Sequence, residues 1–281
     1  MPALSLFGIP RAEWLTSPVQ ILLAALLALG GAWGWAALRR HRATAPLRTL
    51  LGRLAAGSSP VSIQVRALFV PSGELFSRAP EYPPSVTAGL TVHKWTNIPE
   101  VHSAADVRAA VEVLHLLLAA NRNVTAVFRP TESATRGWTE DVIAIGPHFK
   151  SWQILDHCEP RLMALRNPAA FRSLVSQEVF EARGTLDYGL VYKGSHPSTR
   201  RAFWVIMGLS DAGTEAAAWF LRRHAAALGR LTGGAPFAAV VAVDTGRGRE
   251  SAAFRSLQPR PSWWRRLVYR NAWQQVAGLR D

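Results

Sequence analysis

Apolar residues follow three patterns along the chain, and each pattern predicts a different kind of element. Residues 18–38 carry no charge and one polar side chain, Gln20, which predicts a helix long enough to cross a bilayer. Short runs of alternating or consecutive apolar residues predict β-strands, whereas apolar residues three or four positions apart predict helices. The sequence therefore predicts one membrane span followed by an α/β domain.

Strand and helix patterns alternate after the span. Strands are predicted over residues 61–70, 89–95, 124–130, 142–146, 186–194, 201–208, 236–244 and 250–259. Helices are predicted over 103–121 and 211–228, with 147–165 partly helical and 171–181 extended. In the first helix, Val107, Val111, Leu114 and Leu118 form the expected apolar face. This alternation is typical of a three-layer Rossmann-like domain with a mixed, mostly parallel sheet, here over 61–258.

The run 18–38 has further marks of a membrane span. Ser17 can cap the helix, and Trp33 and Trp35 lie near its far end, where aromatic rings favour the headgroup level. A buried core helix and a cleaved signal peptide are the alternatives, but core helices are usually shorter and signal peptides end in small residues. We expect an uncleaved transmembrane helix, preceded by a short extracytoplasmic N-terminus over 1–17.

The positive charge is concentrated at the two ends of the chain. The 281 residues include 32 basic and 19 acidic side chains, a net charge of +13. Residues 1–60 hold six arginines against one acid, and 245–281 hold eight arginines against two acids. Arg39, Arg40 and Arg42 directly follow the predicted span, so the positive-inside rule places the domain in the cytoplasm, at the inner membrane.

Basic segments beside a membrane helix favour the anionic lipids of the inner leaflet. Residues 39–60 are predicted to be a basic amphipathic segment with a hinge, and 259–281 a basic Trp-rich amphipathic helix. Membrane contact in the second segment is expected from Trp263, Trp264, Arg265 and Arg266. The alternative is that the Trp face packs on the domain. Nucleic acid is not an expected partner, because no nucleic-acid motif accompanies the charge.

The span also contains small residues at four-residue spacing. Gly30 and Gly34 form a GxxxG pair, with which two membrane helices can approach closely. Glycine and alanine are common in membrane spans for other reasons as well. A homodimer through this helix is therefore one interpretation of the pair.

The stronger candidate for a binding site is a turn between a predicted strand and a predicted helix. Gly208 ends the strand, Ser210 can cap the helix, and Gly213 and Thr214 lie in its first turn. Free N–H groups at a helix N-terminus bind phosphate or carboxylate groups. The turn matches neither a dinucleotide-binding glycine motif nor a P-loop, and an ordinary capped turn is the alternative.

A second strand–glycine turn adds titratable groups. Gly146 ends a strand, and His148 and Lys150 follow it, offering a base and a cation at the same rim. If the protein is an enzyme, the catalytic candidates are His148 as base and Asp187 or Glu215 as carboxylate. His148 can equally be an ordinary surface residue.

Metal and cysteine chemistry have little support in the sequence. The single cysteine, Cys158, excludes an internal disulfide framework and a cysteine zinc cluster. The histidines lack the spacing of metal ligands, so no metal site is expected, and the residues indicate no particular cofactor.

This architecture with two glycine turns resembles the general class of nucleotide-recognising Rossmannoid domains that bacteria tether to membranes in signalling and defence systems. The resemblance implies a bacterial single-pass membrane protein. Its cytoplasmic module would bind a nucleotide-like or other anionic small ligand in a sensing or signalling role. The alternatives are a membrane-tethered hydrolase or transferase acting on such a ligand, and a non-catalytic scaffold.

Overall fold

The computed structural model describes residues 18–57, 59–71, 95–130, 139–167 and 170–278. The chain divides into two compact units, Met1–Ala45 and Pro46–Asp281.

Helix α1, Pro18–Leu51, contains the predicted span 18–38 within one continuous helical backbone. Trp33 and Trp35 are exposed, whereas the side chains of 18–25 lie outside the described part of the chain. Within the described residues, no helix combines the length and apolar character needed to cross a membrane. No described atom outside α1 lies within 4 Å of a Cβ placed on Gly30 or Gly34. The homodimer through this helix remains a prediction.

The second unit is built on a seven-stranded mixed sheet. Its strands are Val61–Val65 (β1), Ala126–Pro130 (β4), Asp141–Ile145 (β5), Leu186–Ser195 (β9), Ala202–Gly208 (β10), Phe237–Asp244 (β11) and Ala253–Gln258 (β12). The strand order is β12-β11-β9-β10-β5-β1-β4. Strands β4, β1, β5 and β10 run parallel, β9 is antiparallel to β10 and β11, and β12 is antiparallel to β11. The predicted mixed sheet and the strands predicted over 186–194, 201–208 and 250–259 are confirmed.

Helices and smaller sheets connect these strands. Strands Ala67–Pro71 (β2) and Trp95–His102 (β3) form an antiparallel pair. Strands Met163–Asn167 (β6), Ala170–Ser173 (β7) and Val179–Glu181 (β8) form a three-stranded sheet. The other α-helices are Ala104–Ala120 (α2), Phe149–His157 (α3), Asp211–Thr232 (α4), Trp263–Val268 (α5) and Arg270–Ala277 (α6). Helix α4 is confirmed, whereas the expected single strand 61–70 is two strands separated at Arg66. Most of the predicted strand 89–95 lies outside the described residues.

Apolar residues on the two faces of the sheet form two separate cores. On β10, Trp204 and Ile206 face helices α2 and α4, while Phe203 and Val205 face α3 and the sheet β6–β8. Successive side chains of a strand point to opposite faces, so both faces of the central strands are apolar and buried. Charged groups on β5 and β10 are therefore confined to the places where these strands end.

The predicted apolar face of α2 is wrong. Val107, Val111 and Leu118 are exposed and Leu114 is half-buried. The buried face contains the alanines Ala105, Ala109, Ala110 and Ala120 together with Val113, Leu116 and Leu117. The alanines allow α2 to lie close to α4 on the sheet, which a face of larger side chains would prevent.

A buried lysine joins the start of the second unit to the sheet. Lys193 on β9 donates to the carbonyl oxygens of Leu50 and Gly234, at 2.6 Å each, and lies over the Trp204 ring. Both carbonyls lie at or just after helix C-termini, where backbone acceptors lack intrahelical partners. Burial lowers the pKa of Lys193 to about 8, from 10.5.

This pKa predicts that the free energy of unfolding increases at alkaline pH. Between pH 8 and 10.5 the unfolded chain binds a proton that folded Lys193 has released, so the free energy of unfolding rises with pH. Lys193→Met should remove this rise and lower stability at pH 7 by about 2 kcal/mol, because two buried carbonyls lose their donor. Urea unfolding across this pH range tests both effects, and an unchanged pH dependence in the variant would contradict the assignment.

Candidate functional site

The carboxyl ends of β1, β5 and β10 lie side by side at one edge of the sheet. From β1 the chain passes through α2 to β4 on one side, whereas β5 lies on the other side of β1. Such a reversal of strand order opens a crevice in which α/β proteins bind ligands. Arg66 follows β1, Gly146 follows β5, and Gly146 N–H donates to Ile206 of β10 at 2.9 Å. The structure therefore brings both predicted glycine turns to one edge.

Arg66 connects two helix N-termini at this edge. Its Nε lies 3.2 Å from Asp106 Oδ2 in α2, and its Nη2 lies 2.7 Å from Asp211 Oδ1 in α4. Ser103, the N-cap of α2, donates from its hydroxyl to Asp211 Oδ2 at 2.6 Å. We call Arg66, Ser103, Asp106 and Asp211 the carboxyl-edge cluster.

Asp106 is the buried member of this cluster. Its side chain is inaccessible to solvent, and its Oδ1 has no hydrogen-bond partner among the described residues. Burial raises the pKa of Asp106 to about 7, and the charge of Asp211 adds to this, although Arg66 opposes it. A carboxyl group with such a pKa changes protonation near neutral pH, as general acids and bases do.

Gly146 is required where the β5 turn approaches Asp106. Its φ is +89°, and a Cβ placed on it would lie 2.5 Å from Asp106 Oδ2. Both the backbone angle and the lack of space exclude larger residues. This predicted ligand-binding glycine thus forms the wall against which the carboxylate of the cluster packs.

His148 lies beside the cluster as the buried N-cap of α3. Its Nδ1 accepts from the Ser151 N–H at 3.3 Å, and Ser151 Oγ donates to Gly146 O at 2.8 Å. Burial, followed by the charge of Arg66, lowers the pKa of His148 to about 3. The imidazole is neutral at physiological pH, so it is a hydrogen-bonding group here rather than an effective general base. Burial also lowers the pKa of Lys150 on the same turn.

The N-terminus of α4, which the sequence predicts to bind an anionic ligand, binds the carboxylate of Asp187 instead. Asp187 Oδ2 accepts from Gly213 N–H at 2.8 Å and from the Ser210 hydroxyl at 2.5 Å. Ala212 N–H donates to Ser210 Oγ, and Gly208 N–H donates to the Thr214 hydroxyl at 2.8 Å. These donors are used inside the fold, so the contacts favour the capped-turn interpretation and a structural role for Asp187.

Gly208 and Gly213 are explained by close packing at this turn. A Cβ on Gly213 would overlap the Tyr188 carbonyl, and one on Gly208 would overlap the backbone of Thr214. Their small size lets the start of α4 lie directly against β9 and β10.

Glu215, the other catalytic candidate, belongs to an ion-pair network between α2 and α4. Its carboxylate pairs with Arg108 at 2.8 Å and Arg249 at 3.2 Å, and Glu112 pairs with Arg222 and Arg249. The described contacts of Glu215 are thus ion pairs that connect α2 and the segment around Arg249 to α4.

No protein family model matches the chain, and no curated protein is significantly similar to it. In the part of the chain that the structure describes, no three His, Cys, Asp or Glu side chains are grouped so as to hold a metal ion. The function is therefore inferred from the geometry of the carboxyl edge.

Sequence reasoning missed the two central residues of the cluster. The strand predicted over 61–70 includes Arg66, and Asp106 is not among the predicted site residues. The available signal was one arginine interrupting a ten-residue run that is otherwise uncharged. A charge at that position indicates that the buried strand has ended.

The pKa of Asp106 predicts a loss of stability with rising pH. Between pH 3.8 and about 7 folded Asp106 holds a proton that the unfolded chain has released. The free energy of unfolding therefore falls over this range, by roughly 1.4 kcal/mol per pH unit. Asp106→Asn should flatten this fall in urea unfolding curves, whereas the exposed control Asp156→Asn should not. Equal slopes in wild type and Asp106→Asn would show that Asp106 does not titrate there.

Proposed function

We propose that this protein is a membrane-anchored, Rossmann-like α/β module that binds a nucleotide-like anionic ligand at the carboxyl-edge cluster, in a sensing or signalling role. The observation that carries the proposal is the position of Arg66 at the reversal of strand order, bound to Asp106 and Asp211. Arginine binds phosphate through paired hydrogen bonds, and crevices of this kind are frequent ligand sites.

The exposed carboxylate of the cluster is suited to exchange with a ligand. The Asp211 side chain is 51 % exposed, whereas Asp106 is buried. A phosphate group can therefore replace Asp211 on Arg66 Nη2 while Asp106 continues to hold Nε. Asp211 and the Ser103 hydroxyl can then form hydrogen bonds with sugar hydroxyl groups of the ligand. Carboxylates in dinucleotide-binding domains accept hydrogen bonds from sugar hydroxyls in the same way.

Binding should depend on Arg66. In thermal unfolding of the full-length protein, we expect a nucleoside mono-, di- or triphosphate or a cyclic nucleotide to raise the Tm. Arg66→Gln should weaken binding about 10- to 100-fold, since a charged hydrogen bond contributes about 1.5–3 kcal/mol, and Arg66→Lys should retain part of it.

The matched control is Arg161→Gln. Arg161 follows α3 and is paired with Asp156 at 3.5 Å. The nearby Glu159 exchanges backbone hydrogen bonds with Ser195, which pairs with Ala202 at the start of β10, so this segment lies at the edge of the sheet opposite the carboxyl-edge cluster. This variant should bind as wild type does. The same Tm shift in Arg66→Gln as in wild type would contradict the proposed site.

A membrane-tethered hydrolase or transferase is the second candidate, and the raised pKa of Asp106 favours it. Asp106 would exchange a proton with the ligand, in place of the predicted candidates His148, Asp187 and Glu215. Mass spectrometry of the same incubations distinguishes the two functions. If the nucleotide is converted by the wild type but not by Asp106→Asn, the protein is an enzyme. If the nucleotide is unchanged but raises the Tm, the protein is a binding module. If the nucleotide is unchanged and the Tm does not shift, the scaffold interpretation is supported.

The anchor and its orientation are also proposals. Their support is the uncharged run 18–38 and the arginines that follow it, Arg39, Arg40 and Arg42. A reporter fused after Asp281 should be active only if it is of the kind that functions in the cytoplasm. Activity of a periplasmic reporter at that position would reverse the orientation.

A further inference from the structure

The predicted C-terminal helix 259–281 is two helices with different surroundings. On α6, Ala272 and Val276 are buried in the core that contains α4, and the Trp273 ring packs on Phe254 with 5.8 Å between centroids. Helix α5 buries none of its residues. Tyr269 breaks the helix between them. The two interpretations of the sequence, packing on the domain and exposure to a membrane, thus apply to different halves of this segment.

The exposed residues of α5 form one apolar face. Trp263 is 73 %, Leu267 66 % and Val268 64 % exposed, and Trp264 is also exposed. At about 100° per residue, these four positions fall within an arc of about 140°. Exposed apolar faces that include tryptophan are typical of surfaces that contact a membrane or a protein.

Arginines border this face. Arg266 and Arg270 are exposed and form no ion pair with any described residue. Arg265 lies over the Trp264 ring and donates to the carbonyl oxygens of Arg230 and Leu231, which ties α5 to the end of α4. Residues 251–280 contain six arginines and no acid. The occupant of this face must therefore tolerate or attract positive charge.

We propose that α5 docks on the surface of a bilayer that contains anionic lipids, with its Trp face in the interface and its arginines at the headgroups. A symmetric contact between two copies of this face would bring their arginines together, which like-charge repulsion opposes. Anionic headgroups neutralise the same arginines, and tryptophan favours the interfacial region. This surface is separate from the carboxyl-edge cluster, so either proposal can fail without the other.

A fluorescent probe on α5 tests the contact in the full-length protein. Val268→Cys can be labelled selectively, because the only native cysteine, Cys158, is buried and its burial raises the thiol pKa to about 12. In nanodiscs with nitroxide-labelled lipids, the probe should be quenched when anionic lipid is present, and less so at high salt. The control probe at Val175→Cys, an exposed apolar position in the turn between β7 and β8, should not be quenched.

Variants of the arginines and of the apolar residues then separate the electrostatic and hydrophobic contributions to docking of α5 on the bilayer. Arg266→Gln with Arg270→Gln should reduce the ratio of docked to free α5 about 30-fold, from about fivefold per arginine. Trp263→Ser with Leu267→Ser should abolish quenching. Quenching that is absent, or equal in zwitterionic discs, would overturn the proposal. A lipid-independent change in probe emission that grows with protein concentration would overturn it in favour of a second copy.

Discussion

Burial of the central strands on both faces is the constraint on which the rest of the structure depends. The side chains of β5 and β10 alternate between two apolar cores, so these strands have no free face on which to present polar groups. Charged residues next to these strands must therefore lie at the strand ends. Arg66 lies directly after β1, and it meets Asp106 and Asp211 there because both helices begin at the same edge.

The two buried acidic groups near this edge, Asp106 and Asp187, differ in what surrounds them. Asp187 accepts three hydrogen bonds, from the N–H groups of Tyr188 and Gly213 and from the Ser210 hydroxyl, so its acceptor oxygens are used within the turn that starts α4. Asp106 is also buried, but one of its oxygens has no partner among the described residues, and its pKa is about 7. The proposed ligand site is therefore based on Asp106 and its neighbours rather than on the turn at the start of α4.

The sequence predicted the elements whose patterns are local. The strands β9, β10 and β11 and helix α4 are each marked by an apolar run or an amphipathic period with a clear break. The end of β1 at Arg66 was missed because the apolar run continues into β2 on the other side of the arginine, which leaves that single charge as the signal. Likewise, the buried face of α2 depends on how closely α4 approaches, and the sheet β6–β8 depends on pairing between segments that lack a strong period.

Helix α4 joins the carboxyl-edge cluster at its first residue to α5 at its last turn, a length of about 33 Å at 1.5 Å per residue. Close backbone contacts hold it at both ends. A Cβ on Gly213 would overlap the Tyr188 carbonyl, and one on Gly229 would overlap the carbonyl of Pro46. A helix packed this closely has no second position one turn away that a ligand could select. In the proposed function, the exchange of Asp211 on Arg66 is therefore a local change, because α4 cannot slide without breaking both contacts.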